Sequence, residues 1–181
     1  TSEEHLVLLA EDGEGYANLC WLISRAQLGG SKGHARLPLA LLEGHERGLI
    51  ALTACRRGPV ARPLLTGDRA GAAAALRQLQ SIFPPGCLYV EVENHLLRED
   101  AALLAEVTQL AAEAGLPLVA TNDVHYATRD GHRLADVLTA IDRNVSLDEA
   151  DEWLRPNSEW YLKSAEELAP LFVGAPQALA D

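Results

Sequence analysis

Leu118-Val119-Ala120-Thr121-Asn122-Asp123-Val124-His125-Tyr126 is an apolar run that stops on an Asp and, two residues later, a His. Residues i and i+2 of a strand point to the same side. Asp123 and His125 are therefore expected at one shared site where a buried strand ends. α/β proteins place their chemistry at such strand ends. An oxygen donor beside an imidazole suits a divalent ion such as zinc or manganese. The competing reading is structural: Asp123 caps the following turn and His125 hydrogen-bonds it.

The same pattern extends in both directions. Short apolar runs at His5–Ala10, Gly48–Ala54, Leu88–Glu93 and Pro117–Asn122 read as buried strands. Between and after them, helical spacing is expected over Tyr16–Ile23, Pro38–Arg47, Val60–Leu65, Asp68–Phe83, Arg98–Ala114 and Arg129–Ile141. Pro84-Pro85-Gly86 breaks one unit and Gly115 closes another helix. Strands alternating with helices predict an α/β fold with a parallel sheet and right-handed crossovers. These β/α units cover about residues 5–144. A helical and extended tail covers about 145–181, with Ser164 and Glu167 spaced as a capping box.

Composition narrows the function. At 181 residues and 48% hydrophobic, the chain can bury one sizeable core. A net charge of −11 argues against a broad DNA-binding face. Arg56, Arg57 and Arg62 are the one local basic cluster, read as a solvated face. Cys20, Cys55 and Cys87 are odd in number and widely spaced, which predicts a reducing, cytoplasmic setting. No apolar run is long enough for a membrane helix, and no signal peptide is visible. The chain starts at Thr1, has no Met, and ends one turn into a helix begun by Pro176, so a piece of a longer protein is expected.

Chemistry-bearing residues gather at the strand ends: Cys55, then Glu91 or Glu93, then Asp123 with His125. A cysteine such as Cys55, taken alone, is more often a small buried hydrophobe than a ligand. The neighbouring Arg56 and Arg57 make a thiolate nucleophile a further reading, ranked below metal ligation. Glu91 and Glu93 share a strand face and can equally bind the next loop. His95 and His132 are read as surface or supporting residues, and His34 and His45 as exposed. His5 opens its strand instead of closing it, so strand-end logic does not select it. Gly29-Gly30-Ser31-Lys32-Gly33 follows a helix, which excludes a phosphate loop. A Gly-x-Ser-x-Gly elbow is absent, so a serine nucleophile has no support.

Five blocks occur in order: His5-Leu6-Val7-Leu8-Leu9-Ala10, Gly15-Tyr16-Ala17-Asn18-Leu19, Gly48 to Cys55, Ala120 to Tyr126, and Tyr161-Leu162-Lys163-Ser164. Together they resemble the polymerase and histidinol phosphatase (PHP) domain of bacterial DNA polymerase III alpha subunits. Leu28 to Gly33 and Cys55-Arg56-Arg57-Gly58 look closer to the error-prone branch. The resemblance implies a distorted (β/α)7 barrel, present here in part, built of parallel strands. It also implies divalent metal ions, zinc or manganese, and phosphoester hydrolysis of a 3′–5′ exonuclease kind. By the same resemblance His5, Cys55, Asp123 and His125 occupy metal-ligand positions. The family's opening His-x-His motif and other ligands would lie upstream, and its polymerising domain downstream. The resemblance thus implies a parent enzyme acting on DNA, with the parent's other domains as partners and no membrane. It implies weak or absent metal binding and no activity for this piece alone. The alternatives are a non-catalytic scaffold that stabilises the polymerase and docks its domains, and an unrelated small-molecule metallohydrolase.

Overall fold

The computed structural model describes residues 4–30 and 35–180. The loop expected at Gly29–Gly33 falls partly outside them, and His34 does wholly. Four strands, β1 (Val7–Ala10), β2 (Leu49–Leu52), β3 (Leu88–Val92) and β4 (Leu118–Ala120), form one sheet in that order. The helices are α1 (Gly13–Gly29), α2 (Ala61–Leu65), α3 (Arg69–Ile82), α4 (Asp100–Ala114), α5 (Gly131–Arg143) and α6 (Ala165–Leu168). Helix α1 starts where Asp12 accepts from the Gly15 N–H at 2.8 Å, and α3 where Asp68 accepts from Gly71. Ser164 and Glu167 form the expected capping box at α6.

The sheet corrects one expectation. β2 and β3 are parallel, with Ala51 beside Leu88. Val90 donates to the Pro117 carbonyl and Thr121 to that of Val92, which carries the parallel sense into β4. But β1 runs antiparallel to β2, with Val7 opposite Leu52 and Ala10 opposite Leu49. The sheet is mostly parallel, not wholly so. These four strands do not by themselves make the barrel that the resemblance implies. An apolar run carries no mark of its direction, so periodicity could not tell the two senses apart. Pro38–Arg47 also shrinks, to a 3-10 turn at Leu39–Leu42.

The chain divides into two compact units. One runs through Glu91 and resumes over Glu106–Val119; the other comprises Val92–Ala105 and the chain from Ala120 onward. The first holds an aliphatic core of Leu22, Leu42, Leu49, Ala51, Leu79, Phe83 and Leu88. Gly15 fixes how α1 meets β2. A Cβ there would sit 1.7 Å from the Gly48 carbonyl oxygen, so only glycine permits this approach. The second unit packs Tyr126, Trp160 and Tyr161 together, with Leu97 and Ala135 against them.

Candidate functional site

In the first unit the antiparallel sense of β1 decides where His5 lies. Continuing the register of Val7 with Leu52 puts His5 opposite Ala54, at the end of β2 that leads into Cys55. His5 Nδ1 is 3.8 Å from Cys55 Sγ, although 50 residues separate them. Local backbone builds this meeting. Ala54 takes φ of +64°, which turns the chain sharply out of β2 at a cost of about 1–2 kcal/mol. Gly58 then lets the chain fold back, since a Cβ there would lie 2.1 Å from the Thr53 carbonyl oxygen. The Gly58 N–H donates to the Cys55 carbonyl at 2.7 Å, and the His5 N–H to that of Arg57 at 3.2 Å. Glu91, on β3, is buried, and its N–H donates to Thr53 Oγ1 at 2.9 Å.

In the second unit Asp123 and His125 also meet, with Asp123 Oδ1 3.3 Å from His125 Nε2. Strand alternation is not the cause. β4 ends at Ala120, and both residues lie in the loop beyond it. Asp123 takes φ of +38°, a left-handed turn that Asp tolerates better than most residues. Its other oxygen lies 3.8 Å from Arg155 Nη2. Glu93 is half-buried past the end of β3.

That loop is held by polar groups. The Asn122 side chain donates to the carbonyls of Glu159 (2.9 Å) and Tyr161 (2.7 Å) and accepts from Lys163 Nζ (3.2 Å). Lys163 Nζ also donates to the Glu159 carbonyl and lies 3.3 Å from its carboxylate. Arg129 binds the same carboxylate at 2.7 Å. Burial pushes the Lys163 amine below its ordinary pKa, while Glu159 pulls it back up. Tyr161 Oη donates to Glu167 at 2.8 Å, and the Ser164 backbone and Tyr161 hold that carboxyl below its ordinary pKa. The backbones of His125 and Tyr126 are tied to the Trp160 carbonyl, and Leu162 N–H to that of Tyr126.

His95 is the residue the sequence misplaces. It is 1% exposed and stacks on Trp160 with ring centroids 4.0 Å apart and planes 8° apart. Its Nε2 lies 3.1 Å from the Asn122 carbonyl, at the peptide leading into Asp123. Its own N–H donates to Asp100 Oδ2 (2.8 Å), and its carbonyl accepts from Asn157 (2.7 Å). Burial pushes the imidazole below its ordinary pKa. A lone His between Asn94 and Leu96 gives no sign of this, because the partners of its ring, Asn122 and Trp160, are distant in sequence. Lys163 lies within the Tyr161–Ser164 block, yet nothing local points to Asn122 across 41 residues.

Two ligands of one tetrahedral zinc are separated by about 3.4–3.6 Å, given bonds of about 2.0–2.3 Å. The His5–Cys55 separation of 3.8 Å and the Asp123–His125 separation of 3.3 Å lie about 0.2 Å above and 0.1 Å below that range. The first pair offers nitrogen and sulfur, which favour zinc; the second offers oxygen and nitrogen, which accept zinc or manganese. Among the described residues, no three of His, Cys, Asp and Glu gather as a metal site. No disulfide joins Cys20, Cys55 or Cys87. No helix among these residues is long and apolar enough to cross a membrane.

Comparison with known proteins places the chain in a family. Residues 1–95 match the PHP domain family model. The DNA polymerase III subunit alpha of Treponema pallidum is 34% identical over 173 residues, 96% of this chain and 15% of that protein. The Thermus aquaticus protein of the same name is 37% identical over 164 residues, 91% of the chain and 13% of the relative. The error-prone DNA polymerase of Symbiobacterium thermophilum is 36% identical over 191 residues, 97% and 18% respectively. The chain thus spans under a fifth of the length of these curated relatives, and the identities do not separate the two kinds of polymerase.

Proposed function

The chain belongs to the PHP domain family, and on that premise we propose that it is the C-terminal portion of such a domain within a bacterial DNA polymerase of the DNA polymerase III alpha type. The proposed module hydrolyses phosphoester bonds with divalent metal ions, in the manner of a 3′–5′ exonuclease, in a cytoplasmic protein of DNA replication or repair. The β/α units at about 5–144 carry the donors, and the tail at about 145–181 braces the loop that holds Asp123 and His125. Leu28 to Gly33 and Cys55 to Gly58 favour the error-prone branch.

The observation that carries this reading is the pairing of donors in both units, at 3.8 Å and 3.3 Å. His5 and Cys55 would hold one ion, zinc being the better match. Asp123 and His125 would hold another, zinc or manganese. A bound ion supplies Lewis acidity toward a phosphoryl oxygen. The chain's own part is to position. Gly58 and Ala54 turn Cys55 toward His5, while Asn122 and His95 fix the peptide that presents Asp123. Each pair offers two donors where a structural zinc takes four, so this chain alone binds metal weakly and turns over no substrate.

The test has two arms. After dialysis against a chelator, elemental analysis of the 181-residue chain should find far less than one equivalent of zinc or manganese. A tightly held stoichiometric ion would overturn the incomplete-set reading. In the polymerase-length polypeptide, His125→Ala should abolish hydrolysis of a DNA 3′ end and leave polymerisation largely intact. Unchanged hydrolysis would overturn the catalytic reading and leave the scaffold role.

A further inference from the structure

Helix α5 is built inside out. Toward the rest of its unit it turns Ala135, packed on the Tyr126–Trp160–Tyr161 cluster, and the buried Ala140. His132 and Asp136 pair on the same side at 3.6 Å, and both are half-buried. Outward it turns Leu134 (64% exposed), Val137 (43%), Leu138 (56%) and Ile141 (68%). Those positions are i, i+3, i+4 and i+7, one continuous stripe of the kind a globular helix normally faces inward. The smaller and more polar face is the one this unit buries.

We propose that this stripe is the docking surface for an amphipathic helix from another part of the same polymerase-length polypeptide. The inference rests on the reading of the chain as a piece of such a polypeptide. Three observations select that occupant. The stripe exposes on the order of 300 Å² of apolar side chain, against about 800 Å² per partner in a stable complex of separate molecules. A tethered segment needs less, because linkage raises its effective concentration. The turn at Leu147–Glu149 lies against α5. From Ser146 to Trp153 the chain carries Asp148, Glu149, Asp151 and Glu152 and no basic residue. That rim repels nucleic acid and matches a helix with Lys or Arg at one end. Finally, the relatives extend far beyond the matched region, which is 13–18% of their length.

Thiol labelling tests it. Leu138→Cys and, as a control on α6, Glu166→Cys are placed separately in the 181-residue chain and in the polymerase-length polypeptide. Maleimide labelling is followed peptide by peptide, which separates the native cysteines. The two introduced thiols should react at similar rates in the short chain. In the long polypeptide the thiol at 138 should react at least tenfold more slowly, with the control unchanged. Equal rates in both settings would overturn the proposal. Protection in the short chain that grows with concentration and doubles the mass would make a second copy the occupant, and would also overturn it. DNA synthesis is measured on the same samples. Synthesis with an unprotected thiol sinks the docking surface but leaves the polymerase reading standing. Absence of synthesis removes the polymerase reading, and the proposal with it.

Discussion

The two donor pairs are assembled by opposite physics. His5 and Cys55 meet because an aliphatic sheet sets a register and two tight backbone turns finish the approach. Asp123 and His125 meet in a loop beyond the sheet, held by hydrogen bonds and ion pairs around Asn122, Lys163, Glu159 and His95. The first arrangement should tolerate polar change and fail on altered volume. The second should tolerate little change in hydrogen bonding and should respond to pH.

The sharpest way to break that contrast is Asn122→Leu. It leaves the Glu159 and Tyr161 carbonyls without their donor and takes one acceptor from Lys163. A loss of about 3–5 kcal/mol is expected for opening such a buried network. Urea unfolding measures it, and a loss under about 1 kcal/mol would mean the loop is not held by these bonds. Gly15→Ala probes the other unit by volume alone. The added methyl meets the Gly48 carbonyl, and about 3 kcal/mol of destabilisation is expected from forcing α1 off β2. Hydrogen exchange in the peptide carrying β2 should rise, while exchange around Trp160 should stay put.

The third test is pH. His95 is neutral where it is buried, because its folded pKa is lowered. The unfolded chain therefore binds the extra proton first. Stability from this group is complete above the unfolded value of about 6.5 and declines as pH falls below it, with a slope of at most about 1.4 kcal/mol per pH unit. His95→Gln should flatten that part of the profile. An unchanged slope would place the titration elsewhere. The smallest expected effect is Ser164→Ala, which removes the α6 cap for about 1 kcal/mol. Thermal melts at neutral pH should detect it as a shift of a few degrees.

Most of the order of elements was legible because apolar spacing reports it directly. The cap at Ser164 was legible too, because capping is local. The sense of β1 was not, and His5 stayed unexplained by spacing until its strand was seen to run backward. Strand alternation does not explain the 3.3 Å approach of Asp123 and His125, since both lie beyond the strand. The Asn122–Lys163 brace and the contact of the His95 ring with the Asn122 carbonyl were invisible because the partners are 41 and 27 residues apart. Nor did the period of α5 reveal which side faces in. A hydrophobic stripe specifies a burial partner but not whether that partner belongs to the same compact unit.

The position of β1 also bears on how the chain behaves in concentrated solution. It is the edge of the sheet, four residues long, with Val7 and Leu9 exposed. A bare hydrophobic edge invites strand addition from a neighbouring molecule and, repeated, aggregation. Glu4 stands before this strand and Glu11 directly after it. Charges that flank an exposed apolar strand oppose such addition, and Glu4 and Glu11 hold those positions here.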